Sequence, residues 1–208
     1  MVGFNRRFAP HVVKIKSLIG ALDLPKNFVM TVNAGDIPAD HWTQDLKVGG
    51  GRVIGEGCHF VDLLRYLAGA EIVSHQSMAL GAHPSIDIRN DKVSILLGFA
   101  DGSVGVLNYL ANGHKSIPKE RLEVFVGGRV LVLDNFLTLK GYGWPDFKSN
   151  RLWSQNKGNT ACVESFVAGI KAGSSAPIPL DEVLEVSRVS IEIENSIDLG
   201  SIDSDPSD

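Results

Sequence analysis

The chain has 208 residues, enough for one sizeable domain, and 44% of them are apolar, an ordinary globular level that permits a real core. A net charge of −4 without a basic stripe leaves nothing to neutralise phosphates, so nucleic acid is not an expected partner, and no apolar run reaches the roughly 18 residues of a membrane helix. Cys58 and Cys162 stand far apart at no metal or redox spacing and no charged-then-apolar leader opens the chain, so a reduced, cytoplasmic, metal-free protein is expected.

Met1–Phe8 reads as a short extended segment that turns polar at Asn5-Arg6-Arg7. Pro10 suits the first turn of a helix, and His11–Leu22 carries Val12, Ile15, Ile19 and Leu22 at helical spacing until Pro25 stops it. Phe28–Asn33 alternates and predicts a strand, followed by a loop that runs past His41 and Trp42 to Gly49-Gly50-Gly51. Arg52–Leu67 predicts a second helix from the period of Val53, Phe60, Leu64 and Leu67, with Gly69 in its C-cap region. Strands are then predicted at Glu71–Ala82, Lys92–Ala100 and Ser103–Ala111, the last two joined by the hairpin signal Asp101-Gly102. Arg121–Val126 and Arg129–Asp134 form another hairpin around Gly127-Gly128, and Phe136–Lys140 adds a last strand. Gly141–Lys157 is loop-like, and its Tyr142, Trp144 and Trp153 could line a sugar site or pack under the loop. Helices are predicted at Thr160–Ala172 and from Leu180 to Leu199, the latter capped by Asp181, before an acidic, serine-rich tail expected to be disordered over 200–208.

Helices flanking five or so consecutive strands joined by short turns predict an α+β fold: a mainly antiparallel open sheet with helices packed on one face. In Lys92–Ala100, Val93, Ile95, Leu97 and Phe99 point one way, yet Leu96 and Ala100 are apolar on the other; Val130 and Val132 likewise oppose Leu131 and Leu133. A half-solvated antiparallel sheet should alternate cleanly. The face away from the helices is therefore expected to meet a second copy of the chain, with covering loops as the alternative.

The densest candidate for chemistry is Gly49-Gly50-Gly51-Arg52-Val53-Ile54-Gly55-Glu56-Gly57-Cys58-His59-Phe60-Val61-Asp62. Glycine costs roughly 1 kcal/mol per residue inside a helix, so glycines clustered at a helix start point to close approach of a ligand or another backbone. Glu56 and Asp62 each lie three residues from His59, and a carboxylate beside an imidazole can fix its tautomer and tune it for acid–base work. A capping Glu56 and a satisfied, partly buried His59 are the alternative. Cys58 is adjacent to His59, and adjacent helical residues do not face each other, so a thiol nucleophile is disfavoured. The loop residues Asn33, Asp36, Asp40, His41, Trp42 and Asp45 suit a polyhydroxylated ligand or an ordinary surface loop. No Gly-x-Gly-x-x-Gly, Walker loop, His-Glu-x-x-His or Gly-x-Ser-x-Gly is present.

The opening Val2-Gly3-Phe4-Asn5-Arg6-Arg7-Phe8-Ala9-Pro10, the stretch from Trp42 to Gly69, and Phe99-Ala100-Asp101-Gly102-Ser103 together resemble the C-terminal part of the Gfo/Idh/MocA oxidoreductase family. The resemblance runs to about Leu199. It implies a glyceraldehyde-3-phosphate dehydrogenase-like C-terminal domain over 9–199, with 1–8 as a remnant of the interdomain strand and no Rossmann half. It implies an NAD(P)-dependent redox reaction on a sugar, inositol or related polyol. With the nucleotide-binding half absent, no cofactor is expected to bind this chain tightly and the chain alone is expected to be inactive; a non-catalytic binding or oligomerisation module is the alternative. By the same resemblance His59 is the general acid/base. The family's Asp four residues earlier is replaced by Gly55, which makes Glu56 the nearest carboxylate. Asn5 and Arg7 match the opening motif and are expected near the cofactor, with Asn33, His41, Trp42 and Arg52 near the substrate.

Overall fold

Eight strands form one open sheet in the computed structural model, which describes residues 2–38, 40–45, 47–81, 83, 85–86 and 88–199, with side chains described to Ile197. The strands are β1 (Asn27–Asn33), β2 (Ile72–Ala79), β3 (Lys92–Phe99), β4 (Val104–Leu110), β5 (Glu120–Val126), β6 (Arg129–Asp134), β7 (Thr138–Tyr142) and β8 (Ser149–Arg151). Their order is β2-β3-β4-β1-β5-β6-β7-β8, and every pairing is antiparallel except β1 with β4. The α+β, mainly antiparallel expectation therefore holds. The insertion of β1 between two later strands was not expected, because hairpin signals report only neighbours in sequence. Ser149–Arg151 was read as loop; three exposed residues carry no hydrophobic alternation to betray a strand. The 200–208 tail and the Ala82 end of the first predicted post-helical strand lie outside the described residues.

Four helices complete the fold: α1 (Pro10–Gly20), α2 (Cys58–Ala68), α3 (Asn159–Ala172) and α4 (Leu180–Leu199). Pro10 begins α1, where its missing N–H costs nothing, and Gly69 ends α2 in the left-handed region at φ 73°, its N–H returning to the Arg65 carbonyl. Asp181 lies inside the first turn of α4 instead of capping it. Val12, Ile15 and Ile19 of α1, Phe60, Leu63, Leu64 and Leu67 of α2, and Val186, Val189 and Ile193 of α4 join one core with the inward strand residues. Those are Phe28, Met30 and Val32; Val93, Ile95, Leu97 and Phe99; Leu107 and Tyr109; Leu122 and Val124; and Leu131 and Leu133. The opposite face carries Leu96, 42% exposed, with Val104 and Phe125 also open.

The opening segment departs from its extended reading. Asn5–Phe8 form a 3-10 turn, with Arg6 and Arg7 both buried. Two consecutive side chains in a strand would point to opposite faces, one of them outward. The tight turn instead lets both guanidiniums reach buried carboxylates, Glu120 for Arg6 and Asp62 for Arg7. Gly158, at φ 82°, then packs on this turn so closely that a β-carbon there would lie 2.5 Å from Asn5 O and Ala9 N. Replacing Gly158 with Ala should cost about 2 kcal/mol or more in a denaturant titration, from left-handed strain together with backbone collision.

Candidate active site

The glycine cluster builds a turn that ordinary side chains could not. Gly50 and Gly51 take φ 72° and 87°, and a β-carbon on Gly51 would collide with the Glu194 carboxylate of α4. That carboxylate accepts from the Val53 N–H at 2.9 Å and so pins the start of the next element. Val53–Gly57 is a π-helical turn, in which the Cys58 N–H reaches back to the Val53 carbonyl. Such one-turn π segments recur at functional sites.

The π turn explains why the expected Glu56–His59 pair does not form. The 3.6-residue arithmetic that puts positions three apart on one face applies to an α-helix, not to residues 53–57. Glu56 turns toward the sheet: Oε1 accepts from Lys119 Nζ at 2.6 Å, and Oε2 accepts from Arg52 Nη2 at 2.6 Å and from the Tyr109 hydroxyl at 2.7 Å. These donors hold its carboxyl below the usual range against the opposing effect of burial. Arg52 also donates through Nε to the Tyr109 oxygen at 3.0 Å. Asp62 is likewise not beside His59 in function; its carboxylate takes Arg7 Nε and Nη2, while Arg7 Nη1 donates to Glu182 at 2.8 Å.

His59 is half-buried, packs edge-on against Phe4 at 5.7 Å between ring centroids, and has Nδ1 sealed in without a hydrogen-bond partner among the described residues. Exchange with any ligand must therefore run through Nε2. Burial first, and Arg6 second, push the imidazole down to about 4, so it is uncharged at neutral pH. Beside it, Arg6 Nη2 donates to Glu120 Oε1 at 2.7 Å, and Lys157 Nζ lies 3.0 Å from Glu120 Oε2. Burial pushes the Cys58 thiol up to about 11, which leaves it protonated at neutral pH and argues against a thiolate nucleophile.

The remaining candidates divide. Arg52 belongs to the Glu56 network. Asn33 closes the loop after β4, donating from Nδ2 to the His114 and Ile117 carbonyls at 2.9 and 3.1 Å. His41 is bonded to Thr43 within its own turn, and Trp42 is 62% exposed. Asn5 donates to the Lys157 carbonyl at 2.7 Å and to Asn159 Oδ1 at 2.6 Å, so it and Arg7 are both engaged in holding the fold. Tyr109, Lys119, Glu120 and Lys157 were missed. Glu120 did leave a signal: it shares the inward register of Leu122, Val124 and Val126, where an unpaired carboxylate has no place. Among the described residues no group of three His, Cys, Asp or Glu side chains could hold a metal ion.

Residues 19–127 match the family model described as the GFO/IDH/MocA C-terminal domain. An uncharacterized oxidoreductase, YrbE, of Bacillus subtilis is 29% identical over 131 residues, covering 60% of this chain and 37% of that protein. An inositol 2-dehydrogenase of Rhizobium meliloti is 26% identical over 184 residues, covering 84% of this chain and 55% of that protein. The chain thus spans about half or less of these relatives. A solved levoglucosan dehydrogenase in complex with NADH superposes with a TM-score of 0.76 at 21% identity, covering 96% of this chain and 64% of that one. UDP-N-acetylglucosamine 3-dehydrogenase from Acidithiobacillus ferrooxidans gives a TM-score of 0.74 at 20% identity, covering 96% and 62%. At these identities the structural likenesses speak for the fold.

Two outcomes test the geometry. Arg7→Ala strands Asp62 and Glu182, and should cost about 3–5 kcal/mol of stability with no nucleotide present. His59 favours its neutral form in the fold, so the unfolded chain binds its extra proton between pH 4 and 6.5 and the contribution of His59 to stability falls as pH drops through that window, while Asp62, which burial pushes up to about 6, acts in the opposite sense. His59→Phe should remove the His59 contribution from unfolding curves collected at several pH values.

Proposed function

Because this chain belongs to the GFO/IDH/MocA family and carries its C-terminal domain, we propose that it is the substrate-side part of an NAD(P)-dependent oxidoreductase acting on a sugar, inositol or related polyol. The observation that carries this reading is His59: a half-buried imidazole with one nitrogen sealed in, packed edge-on against Phe4 and uncharged at neutral pH. A substrate hydroxyl at Nε2 would give its proton to the neutral ring, a general-base role that needs the ring free of its own proton. Near it, the buried Arg52 and Tyr109 hold Glu56 in place, and the part-exposed Glu56 and Lys119 can hydrogen-bond a polyol without shifting. Asn33 and the exposed His41 and Trp42 offer further polar and stacking contacts at the loop edge.

NAD or NADP would supply hydride exchange in the complete enzyme. The residues of this chain do not fit a site for it: the sequence has no Gly-x-Gly-x-x-Gly, and Arg7 and Asn5 are committed to Asp62, Glu182, Lys157 and Asn159. The nucleotide site therefore belongs to another part of the enzyme, and the chain alone should not turn over substrate, since proximity of the two reactants supplies much of the rate. The open sheet face, with Leu96, Val104, Phe125 and the half-buried Val106 and Val132, is the surface for a second copy.

Calorimetry of the chain with NADH and with NADPH should give no heat of binding at millimolar concentration. Micromolar binding would overturn the assignment of the nucleotide to another part. In the complete enzyme His59→Ala should lower kcat by about 100-fold or more. Unchanged activity would favour a second reading, a non-catalytic binding or oligomerisation module, toward which Gly55 in the family's Asp position points. Leu96→Glu should convert dimer to monomer in sedimentation velocity, and an unaltered sedimentation coefficient would show that the sheet face is not the contact.

A further inference from the structure

We propose that Arg6 is a positioning residue for His59: its guanidinium, held by Glu120 and stacked on Phe60, fixes the place of the imidazole and the charge beside it. The functional meaning of this rests on reading His59 as the proton-handling group. Its physical content does not.

The 3-10 turn Asn5–Phe8 and the residue pair His59-Phe60 are packed against each other by two ring contacts. Phe4, just before the turn, meets the His59 ring edge-on, and the Arg6 guanidinium lies 4.3 Å over the centroid of Phe60. Arg6 is held there from beyond the helix by Glu120, whose side chain is fully buried, and Glu120 is shared with Lys157 at 3.0 Å. One carboxylate between two cations leaves a surplus positive charge beside the imidazole. The charges that act on the ring are Arg6 on the turn, which disfavours its proton, and Glu56 on the π turn and Glu120 on β5, which favour it. Both carboxylates are already neutralised, Glu56 by Arg52 and Lys119, Glu120 by Arg6 and Lys157. Arg6 lowers the proton affinity of His59 in the same direction as burial does.

A purely structural tie would not need this arrangement. Arg6 is 6% exposed and its Nε has no hydrogen-bond partner among the described residues, so the cation is incompletely satisfied. Buried ion pairs can often be replaced by apolar side chains of similar volume without loss of stability. A retained, imperfectly paired cation next to an imidazole has an electrostatic use that an aliphatic side chain lacks.

The test is a histidine ring-proton NMR titration of the full chain, with the His59 signal assigned among the six histidines by its loss in His59→Gln. The wild-type midpoint should lie well below 6.5, near 4. R6Q should raise it by about one unit or more, while R6K, which keeps the charge, should hold it within about half a unit. K157Q changes a less buried position and serves if R6Q does not fold; it should raise the midpoint by a few tenths of a unit, about what a more distant charge exerts. An unmoved midpoint in whichever of these variants folds overturns the proposal. The redox reading fails separately: a moved midpoint in this chain with full turnover by His59→Ala in the complete enzyme keeps the role of Arg6 and removes that reading.

Discussion

Two consecutive arginines hold the molecule together at its functional end. Arg6 reaches across to Glu120 on the sheet, and Arg7 reaches the other way to Asp62 on α2 and Glu182 on α4. The Arg6–Glu120 and Arg7–Asp62 pairs are almost completely buried, so removing one partner leaves a charge that water cannot reach, and the geometry is correspondingly hard to relax. Because the two side chains leave the same tight turn, the turn ties the sheet, α2 and α4 into one frame. His59 sits inside that frame, one residue before the ring that supports Arg6 and three before the carboxylate that holds Arg7. The position of the imidazole is therefore set by the same charges that secure the fold.

Much of the architecture could be read from residue patterns because it rests on local signals. The alternation of Val93, Ile95, Leu97 and Phe99, the Asp101-Gly102 hairpin and the helical stripe of Phe60, Leu64 and Leu67 each specify an element within a dozen residues. What could not be read is non-local. Nothing in Phe28–Asn33 says that it pairs with residues 104–110 on one side and 120–126 on the other. The site shows the same division. The glycine cluster and His59 stood out, and the structure gives the glycines a physical reason in the positive φ values and in Glu194. The partners of Glu56 did not stand out. A π turn has no strong sequence signature, and a carboxylate moved by one turn's irregularity meets Tyr109 and Lys119, more than fifty residues later, instead of the imidazole three residues away.

The sheet divides its labour between faces. Inward residues are mostly apolar; of the polar ones, His75 and Ser77 meet α4, while Tyr109 and Glu120 reach the candidate site. A polar group in an inward register is tolerated only where it is paired: Arg52 and Glu56 meet the Tyr109 hydroxyl, Arg6 donates to Glu120, and Lys157 adds an ion pair to the same carboxylate. The outward face mixes valine, leucine and phenylalanine with Thr31, Ser94, Asn108 and Glu123, a composition between that of a core and that of free surface.

The central place of β1 has a consequence for how the chain comes to be folded. The strand is made before either of its neighbours: β4 is complete only at residue 110 and β5 only at residue 126, and the two close on its two sides. Until residue 110 has been made, Phe28, Met30 and Val32 have no sheet to enter. Such non-local closure makes for high contact order and slow folding. A nascent chain that exposes an apolar strand with two unpaired edges for that long is open to pairing with the wrong partner. Folding of this domain should thus be governed less by its hairpins, which can form locally and quickly, than by the moment when a waiting strand is captured between them.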